Sequence, residues 1–533
     1  VGRGNGTVGL QSVVTMNGGT INAAQAAMGY DAGVGGYNAR PRIELNNDAR
    51  IILANQMYVG ESAGSDASVN IAGTARLQTG GQLIIGMNNG ARGMIVNNST
   101  GTVQVGSWMS MGYNGGAIGV FTNNESSTFR VATDFNVGDS GNAILTVNGG
   151  WVSGNAMYIG KSAGATGEVF IAGGTVTNAA GGMVLGNAGG ATGTVTLAGG
   201  TLASSGSVRV GGDAGPGKGS ILQSGSSQFI MTGGYMSVGC AGTGSYTING
   251  GSLLYTGAGG FNVGDRTSTR GTVTLNDGSA TVPFLYVGKT GSAVGSFLQN
   301  GGTVAITSGT ESRIGGGGGG GDVNAYGYYR LTNGVLTAAP NNFQVGAYGR
   351  GVMDISGGSF LAGNWPVVGR FAGGKGVLTV SGGTLSQTAA AYRLIVGEEG
   401  YGVVTVSGTG ALDLTGGLRV SCAPAAVGIV NLNGGSITTP RVESWGGASA
   451  FNFDGGVLKA ATNSISFMQG LTAAYVRSGG AVIDSNSHDV SIRQVLIPPG
   501  GNGVTGITVN SGGSGYAGPP LVQITGGGGS GAT

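Results

Sequence analysis

The feature that most constrains the fold of this chain is a short motif that returns along almost its whole length. An apolar residue, a variable residue, an aliphatic residue and a glycine recur in this order every 22 to 31 residues, about 26 on average. The motif closes at fourteen glycines and, in a fifteenth copy, at a serine: Gly60, Gly86, Gly112, Gly138, Gly160, Gly186, Gly211, Gly239, Gly264, Gly288, Gly315, Gly346, Gly369, Gly397 and Ser421. Regular periods of roughly 20 to 50 residues are typical of stacked repeat architectures.

The motif predicts a short β-strand with one buried face. The residue before the glycine is aliphatic in every copy: Val59, Ile85, Met111, Val137, Ile159, Leu185, Val210, Val238, Val263, Val287, Ile314, Val345, Val368, Val396 and Val420. Two positions earlier only Ser312 is polar, whereas the position between is mixed. Alternation of this kind places the first and third residues inside and the second outside. We expect the aliphatic column to form a continuous structural ladder.

Two further strands complete each repeat. An alternating segment such as 193–197 follows the motif, and a glycine pair then opens a third strand, as at 200–202. Three short strands in about 26 residues make one coil, and stacked coils pair their strands in parallel. The sequence therefore predicts an all-β, right-handed parallel β-helix of roughly 19 coils, right-handed because parallel crossovers are. A propeller blade needs about 40 residues or more, which this period does not supply.

The repeat also sets the predicted domain boundaries. The β-helix is expected over residues 1–497, and residues 498–533, which open with Pro498-Pro499, are expected to begin a separate small β module that is truncated. Seven consecutive glycines at 315–321 lengthen one repeat to 31 residues, and we interpret them as a flexible loop. The first residue is Val1, so we expect a processed or partial chain.

Composition excludes several classes of protein. Glycine makes up 119 of 533 residues, which disfavours helices because each interior glycine costs about 1 kcal/mol relative to alanine. The net charge is +2, which does not supply the basic field of a nucleic-acid partner. No run of 18 apolar residues occurs, so no membrane-spanning helix is expected. Eleven prolines are too few for collagen, and the charge is too low for typical disorder.

The position after the repeat glycine tests the register. Where two successive coils are both charged at this position the signs are opposite, giving three predicted cross-coil pairs: Asp139 with Lys161, Asp265 with Lys289, and Arg370 with Glu398. We expect each pair to lie across adjacent coils on the outer surface. Exposed pairs of this kind contribute only about 0–1 kcal/mol each.

The sequence offers few candidates for catalysis. His488, the one histidine, lies in an Asn-Ser-His-Asp stretch that is typical of a turn. The main alternative to a structural role is a polysaccharide-binding or polysaccharide-degrading β-helix, which would need clustered carboxylates. The 22 acidic residues are scattered, and the closest doublet is Glu398-Glu399. We therefore expect no enzyme activity, no catalytic or metal-binding residue and no cofactor. Cys240 and Cys422 lie in one column seven coils apart, so we expect both as thiols.

Residues 195–202 read Val-Thr-Leu-Ala-Gly-Gly-Thr-Leu, and residues 377–385 read Val-Leu-Thr-Val-Ser-Gly-Gly-Thr-Leu. These segments resemble the autotransporter-associated β-strand repeats of large bacterial surface proteins. The resemblance covers roughly residues 50 to 490. Residues 503–533 resemble a Gly-Gly-x-Gly-Tyr, Pro-Pro module that accompanies such repeats and occurs in phage tail proteins. The resemblance implies a secreted, cell-surface adhesin, stalk or matrix fibre, and it carries no catalytic residue.

Possible partners follow from these expectations. Surface glycans or other cells would be contacted by the outward residues of an adhesin. Another copy of the chain is a second partner, because a bare end coil exposes strand edges that pair with another chain. The sequence therefore leads to the hypothesis that copies of the chain assemble head to tail into an extracellular filament.

Overall fold

The protein is a β-solenoid. The computed structural model describes residues 12–30, 39–498, 508 and 512–522, and these residues contain strands but no helix. Parallel coils about 26 residues apart stack into about 18 turns, which confirms the predicted parallel β-helix. No helix long and apolar enough to cross a membrane occurs in the part of the chain that the structure describes.

The chain divides into two compact units, and the first is Val1–Gly259. Its strands are β1 (Val13–Met16), β2 (Thr20–Ala23), β3 (Ala26–Met28), β4 (Arg42–Leu45), β5 (Arg50–Leu53), β6 (Met57–Val59), β7 (Asp66–Gly73), β8 (Arg76–Thr79), β9 (Leu83–Ile85), β10 (Arg92–Ser99), β11 (Thr102–Val105), β12 (Met109–Met111), β13 (Ile118–Asn123), β14 (Thr128–Val131), β15 (Asp134–Val137), β16 (Asn142–Val147), β17 (Trp151–Ile159), β18 (Thr166–Ile171), β19 (Thr175–Leu185), β20 (Thr192–Leu197), β21 (Thr201–Ser204), β22 (Val208–Val210), β23 (Lys218–Gln223), β24 (Gln228–Met231), β25 (Met236–Val238) and β26 (Thr243–Tyr255).

The second unit is Gly260–Thr533. Its strands are β27 (Phe261–Val263), β28 (Arg270–Val282), β29 (Leu285–Val287), β30 (Val294–Gln299), β31 (Thr303–Ile306), β32 (Ser312–Ile314), β33 (Tyr326–Leu331), β34 (Val335–Ala338), β35 (Phe343–Val345), β36 (Arg350–Ile355), β37 (Ser359–Ala362), β38 (Val367–Val368), β39 (Lys375–Val380), β40 (Thr384–Gln387), β41 (Leu394–Val396), β42 (Tyr401–Leu414), β43 (Leu418–Val420), β44 (Val427–Thr439), β45 (Val442–Glu443), β46 (Ala448–Phe453), β47 (Val457–Ala460), β48 (Ser464–Gln469), β49 (Ala473–Val476), β50 (Val482–Asp484), β51 (Val490–Ile492) and β52 (Leu496–Ile497).

Each strand pairs in parallel with its counterpart one coil along the chain. In the coil that contains β20, β21 and β22, Thr192 pairs with Lys218 and Val195 with Ile221, a register of 26 residues. The second and third strands of this coil pair likewise with β24 and β25. Three parallel ladders therefore run through each unit.

Inward residues of these ladders fill the interior. All fifteen aliphatic residues of the structural ladder are buried, and none is more than 3% exposed. In the second unit Phe297 and Tyr329 stack with ring centroids 4.9 Å apart. The hydroxyl of Tyr329 donates a hydrogen bond of 2.6 Å to Gln299 Oε1, so this buried polar pair is satisfied. Tyr246 and Gln223 form the equivalent pair in the first unit.

The corner between the third strand of one coil and the first strand of the next strongly favours glycine. Gly186 has a φ of 62°, and a Cβ there would clash with the carbonyl oxygen of Lys218. Gly193 comes so close to Gly186 that its Cβ would lie 2.5 Å from that residue's amide nitrogen. The corner is built from backbone packed on backbone, which leaves no room for a side chain.

The in–out–in interpretation of the third strands is wrong for several coils. The middle residues Ile84, Ser110 and Asn136 were expected outside, yet each is at most 2% exposed. In the coils around β12 and β15 the covering group comes from the turn after the repeat glycine. Ser110 Oγ donates a hydrogen bond of 2.6 Å to Asp139 Oδ2, which also accepts one from Asn136 Nδ2. The outer side of these strands is therefore sheltered.

The predicted C-terminal module lies mostly outside the described residues. Of residues 499–533, the structure describes 508 and 512–522, and no strand falls among them. Residues 515–522 run along the outer face of β28, β30, β33 and β36 in the second unit.

Candidate functional site

The side chains with functional potential lie beside the third strands, at the turns that follow the repeat glycines. The structure brings the partners of the three predicted charge pairs together: Lys161 Nζ lies 3.7 Å from Asp139 Oδ1, Lys289 Nζ lies 2.7 Å from Asp265 Oδ1, and Arg370 forms an ion pair with Glu398. Each pair joins adjacent coils. The first unit carries one of these pairs and the second unit carries two.

Two of these carboxylates are more buried than the sequence suggests. Asp139 and Asp265 are only 7% and 6% exposed, whereas the column was expected on the open surface. Lysine side chains from the next coil cover them, and Asp139 also accepts the hydrogen bond of Ser110. A partly buried pair interacts more strongly than an exposed one because solvent screens it less.

In the first unit the Asp139–Lys161 pair borders a cleft. Trp108, Tyr113, Asn136, Asp139 and Lys161 are among its lining residues, and its volume is about 480 Å³. The Trp108 and Tyr113 rings stack with centroids 5.8 Å apart. The buried Asn136 Oδ1 has no hydrogen-bond partner among the described residues. An aromatic wall beside amide, carboxylate and ammonium groups suits a polar ligand with an apolar face.

In the second unit the same edge carries an arginine held among aromatic rings, here called the Arg313 cluster. The guanidinium carbon of Arg313 lies 5.9, 5.5 and 5.6 Å from the ring centroids of Tyr286, Tyr348 and Phe371. Tyr348 and Phe371 stack with centroids 4.2 Å apart. Cation–π contacts of this kind contribute about 0.5–2 kcal/mol, more when water is excluded. The cluster spans successive coils and ties them together.

Glu311 completes the Arg313 cluster. Its Oε2 lies 2.5 Å from Arg313 Nη2. Burial alone would raise the pKa of Glu311, but the hydrogen bond and the positive charge of Arg313 outweigh it, so the pKa lies below its usual value of 4.5. The glutamate is therefore held in its charged form.

The glycine run at 315–321 is more constrained than the predicted flexible loop. Arg313 Nη1 donates a hydrogen bond of 2.8 Å to the carbonyl oxygen of Gly317. The carboxylate of Asp322 accepts bonds from the amides of Gly318 and Gly319 and, across the coil, from Gly291. One carboxylate thus fixes a turn of adjacent backbone N–H groups.

The other sequence candidates lie apart from these clusters. His488 is in a turn in which its amide donates a hydrogen bond to Ser485 O. Cys240 and Cys422 form no disulfide, and both belong to the described residues. Burial raises the pKa of the Cys422 thiol to about 11. Within residues 12–30, 39–498 and 512–522, no three His, Cys, Asp or Glu side chains come together as a metal site.

Sequence reasoning missed both the cleft and the Arg313 cluster. The alternation pattern assigned no role to Trp108, Tyr348 or Phe371. A usable signal was present, because Tyr348 and Phe371 each stand two residues after the repeat glycine in successive coils. The rings of Tyr348 and Phe371 reach back over the third strand that carries Arg313.

Comparison with protein-family models, with curated proteins and with solved structures gives no match for this chain.

Proposed function

We propose that the chain is a structural and adhesive component of a bacterial cell surface, secreted and displayed outside the cell, with no enzymatic role. The observation that carries this proposal is the uninterrupted set of three parallel ladders in each unit. Because every coil contacts mainly its neighbours, such a solenoid is mechanically continuous and displays its turns in a regular array. Stability and display are what a surface scaffold requires.

The sequence supports the same role. The Gly-Gly-Thr-Leu segments resemble autotransporter-associated β-strand repeats, which belong to bacterial surface proteins. The resemblance is specific for the type of repeat, and we extend it to a secreted location. In the proposed role, the cleft lined by Trp108 and Asp139 supplies an adhesive contact, with surface glycans as the ligand class.

The described end strands support assembly into a filament. β1, β2 and β3 pair with β4, β5 and β6, and no described strand lies on their other side. β50, β51 and β52 likewise pair only with β47, β48 and β49 among the described strands. Unpaired edges accept strands from other chains. Head-to-tail pairing of the two edges would join copies into a fibre.

A charge placed on one edge tests this role. Ile21 lies on β2 and is 41% exposed, and Ile118, on a strand paired on both sides, is also 41% exposed. We expect electron microscopy of the wild-type protein to show fibres, Ile21→Lys to shorten them at least tenfold, and Ile118→Lys to leave them unchanged. The two variants share the same added charge, so only the edge differs.

Other outcomes would contradict the proposal. Monodisperse single chains in the wild type, at every concentration tested by light scattering, would exclude the filament role. Release of new reducing ends or unsaturated sugars from a panel of polysaccharides would instead favour the enzymatic alternative.

A further inference from the structure

A strip of side chains on the second unit holds a distant part of the chain. The strip, here called the docking strip, consists of Arg270 on β28, Ser296 on β30, Tyr326 and Tyr328 on β33, and Asp354 on β36. These strands are neighbours in the first ladder of that unit. Residues 515–522, here called the tail segment, lie along the strip. Ala517, which contacts Ser296, follows it by 221 residues in the sequence.

Alternate carbonyl groups of the tail segment are bound by successive coils. Arg270 Nη2 donates a hydrogen bond of 2.8 Å to Gly515 O, Ser296 Oγ one of 2.7 Å to Ala517 O, and Tyr326 Oη one of 2.6 Å to Pro519 O. The segment therefore advances two residues for each coil. Every second carbonyl group faces the strip, as expected for an extended peptide whose successive residues point to opposite sides.

The tail segment also packs against the strip. Gly518 lies so close to the Tyr328 ring that a Cβ on it would clash with Tyr328 Cγ. Ser296 and Tyr328 are only 2% and 6% exposed, whereas Ile144, at the same position of the repeat on β16, is 38% exposed. The segment thus covers a position of the repeat that is open at Ile144.

Farther along, the contact becomes more apolar. Pro519, Pro520, Leu521 and Val522 line a cleft of about 290 Å³ together with side chains of β36, β39 and β42. In that cleft Asp354 accepts a hydrogen bond of 2.9 Å from the hydroxyl of Tyr328.

The chemistry of the contact defines the class of ligand. In all three hydrogen bonds the strip donates and the peptide accepts, so the peptide needs carbonyl groups but no free N–H group. Proline has no N–H group and favours the extended polyproline conformation. Glycine at position 518 permits the close approach to the tyrosine ring. An extended peptide containing Gly-Pro-Pro fits these requirements.

The length of the chain bears on which copy supplies this peptide. β52 is nine ladder steps from β28, or about 43 Å at about 4.8 Å a step. The 18 residues from Ile497 to Gly515 can reach at most about 60 Å. Docking within one chain is therefore possible but uses most of the available length. The tail of a second copy that lies antiparallel, or is shifted along the axis, begins nearer the strip and needs a shorter span.

We propose that the docking strip is a binding site for extended Gly-Pro-Pro peptides and that a second copy of this chain supplies residues 515–522 as its ligand, by exchange with the segment docked within the chain. Such exchange would crosslink copies side by side, which goes beyond the end-to-end filament. It uses different residues from the open edges of β1–β3 and β50–β52.

Peptide binding tests the site in the full-length chain. Gly518→Val blocks the docked tail by collision with Tyr328, whereas Gly512→Val is a matched control because nothing lies within 4 Å of its Cβ position. We expect a labelled peptide of residues 512–522 to bind Gly518→Val at least tenfold more tightly than wild type or Gly512→Val, in which the tethered tail competes at high effective concentration. Adding Ser296→Ala and Tyr326→Phe to Gly518→Val should weaken binding of the peptide at least tenfold. Adding Ser220→Ala and Tyr58→Phe to Gly518→Val makes the same chemical changes on β23 and β6 of the first unit, away from the strip, and should not weaken it.

A complementation experiment tests the partner. One chain carries Gly518→Val, with an intact strip, and the other carries Ser296→Ala and Tyr326→Phe, with an intact tail; both carry Ile21→Lys to suppress edge pairing. We expect association when the two are mixed, measured by analytical ultracentrifugation, and none in either alone. Peptide binding without association in the mixture would overturn the second copy as the partner. Failure of the peptide to bind Gly518→Val would overturn the site itself.

Discussion

At the scale of single residues, the backbone conformation at the repeat glycine decides whether a coil can close. Gly186 combines a left-handed φ of 62° with backbone of the next coil directly against it. Ser421 adopts the same conformation, with a φ of 62°, in the one copy without glycine. Its hydroxyl donates a hydrogen bond of 3.2 Å to Ala426 O. Serine is therefore accommodated at a corner where its side chain finds a partner.

Two glycine substitutions separate backbone strain from lack of space. Gly164 has a φ of 75° but nothing within 4 Å of its Cβ position, whereas a Cβ on Gly186 meets the Lys218 carbonyl. We expect Gly164→Ala to lower the free energy of unfolding by about 1 kcal/mol through strain. Gly186→Ala should lower it by about 3 kcal/mol or more, because overpacking adds to the strain. Denaturant titration measures both, and equal losses would show that space at the corner is unimportant.

The charge of Glu311 should make stability depend on pH. Because its pKa is lowered in the folded state, the ion pair with Arg313 stabilises the fold above about pH 4.5, and this contribution is lost as the pH falls through the lowered pKa. We expect Glu311→Gln to be less stable than wild type at pH 7 and equally stable near pH 2. Thermal melts across this range test it, with Glu125→Gln, at an exposed position, as control. A constant difference between the two proteins at all pH values would argue against the pair.

At the scale of elements, the third strands combine two environments that the sequence pattern does not distinguish. Their first and third residues fill the core, as the aliphatic column predicts. Their middle residues are sheltered by turn residues, as Asp139 shelters Ser110 and Asn136. Strand periodicity reports the direction of a side chain but not what another loop places over it. The alternation pattern therefore could not predict the cleft beside Asp139 or the Arg313 cluster.

A charge in the structural ladder tests the element directly. Val396 on β41 is fully buried, whereas Val482 on β50 is 48% exposed. We expect Val396→Asp to lower the free energy of unfolding by about 3 kcal/mol or more, because an unpaired carboxylate would be buried among aliphatic side chains. Val482→Asp should change it by less than about 0.5 kcal/mol. Hydrogen exchange of β38, β41 and β43 would report the loss locally, and unchanged exchange would refute the assigned register.

At the scale of the whole molecule, periodic features could be predicted and contacts between distant segments could not. The spacing of the glycines was sufficient to predict parallel coils, the buried column from Val59 to Val420 and the charge pairs. The contact of residues 515–522 with β28, β30 and β33 joins parts of the chain up to 245 residues apart and follows from no period. It depends on particular side chains, such as the hydroxyl of Tyr326, that the repeat leaves free to vary.

The constant register has a consequence for how such a protein changes in evolution. Because Gly193 lies over Gly219 and Val195 over Ile221, a deletion of one whole period brings like residues against like. Unequal crossing-over between repeats of the gene would then lengthen or shorten the protein by complete coils that still fold. A deletion of another length within a strand would shift its register and turn core residues outward. Length in this protein is therefore inherited in steps of one coil, and natural variants should differ by multiples of about 26 residues.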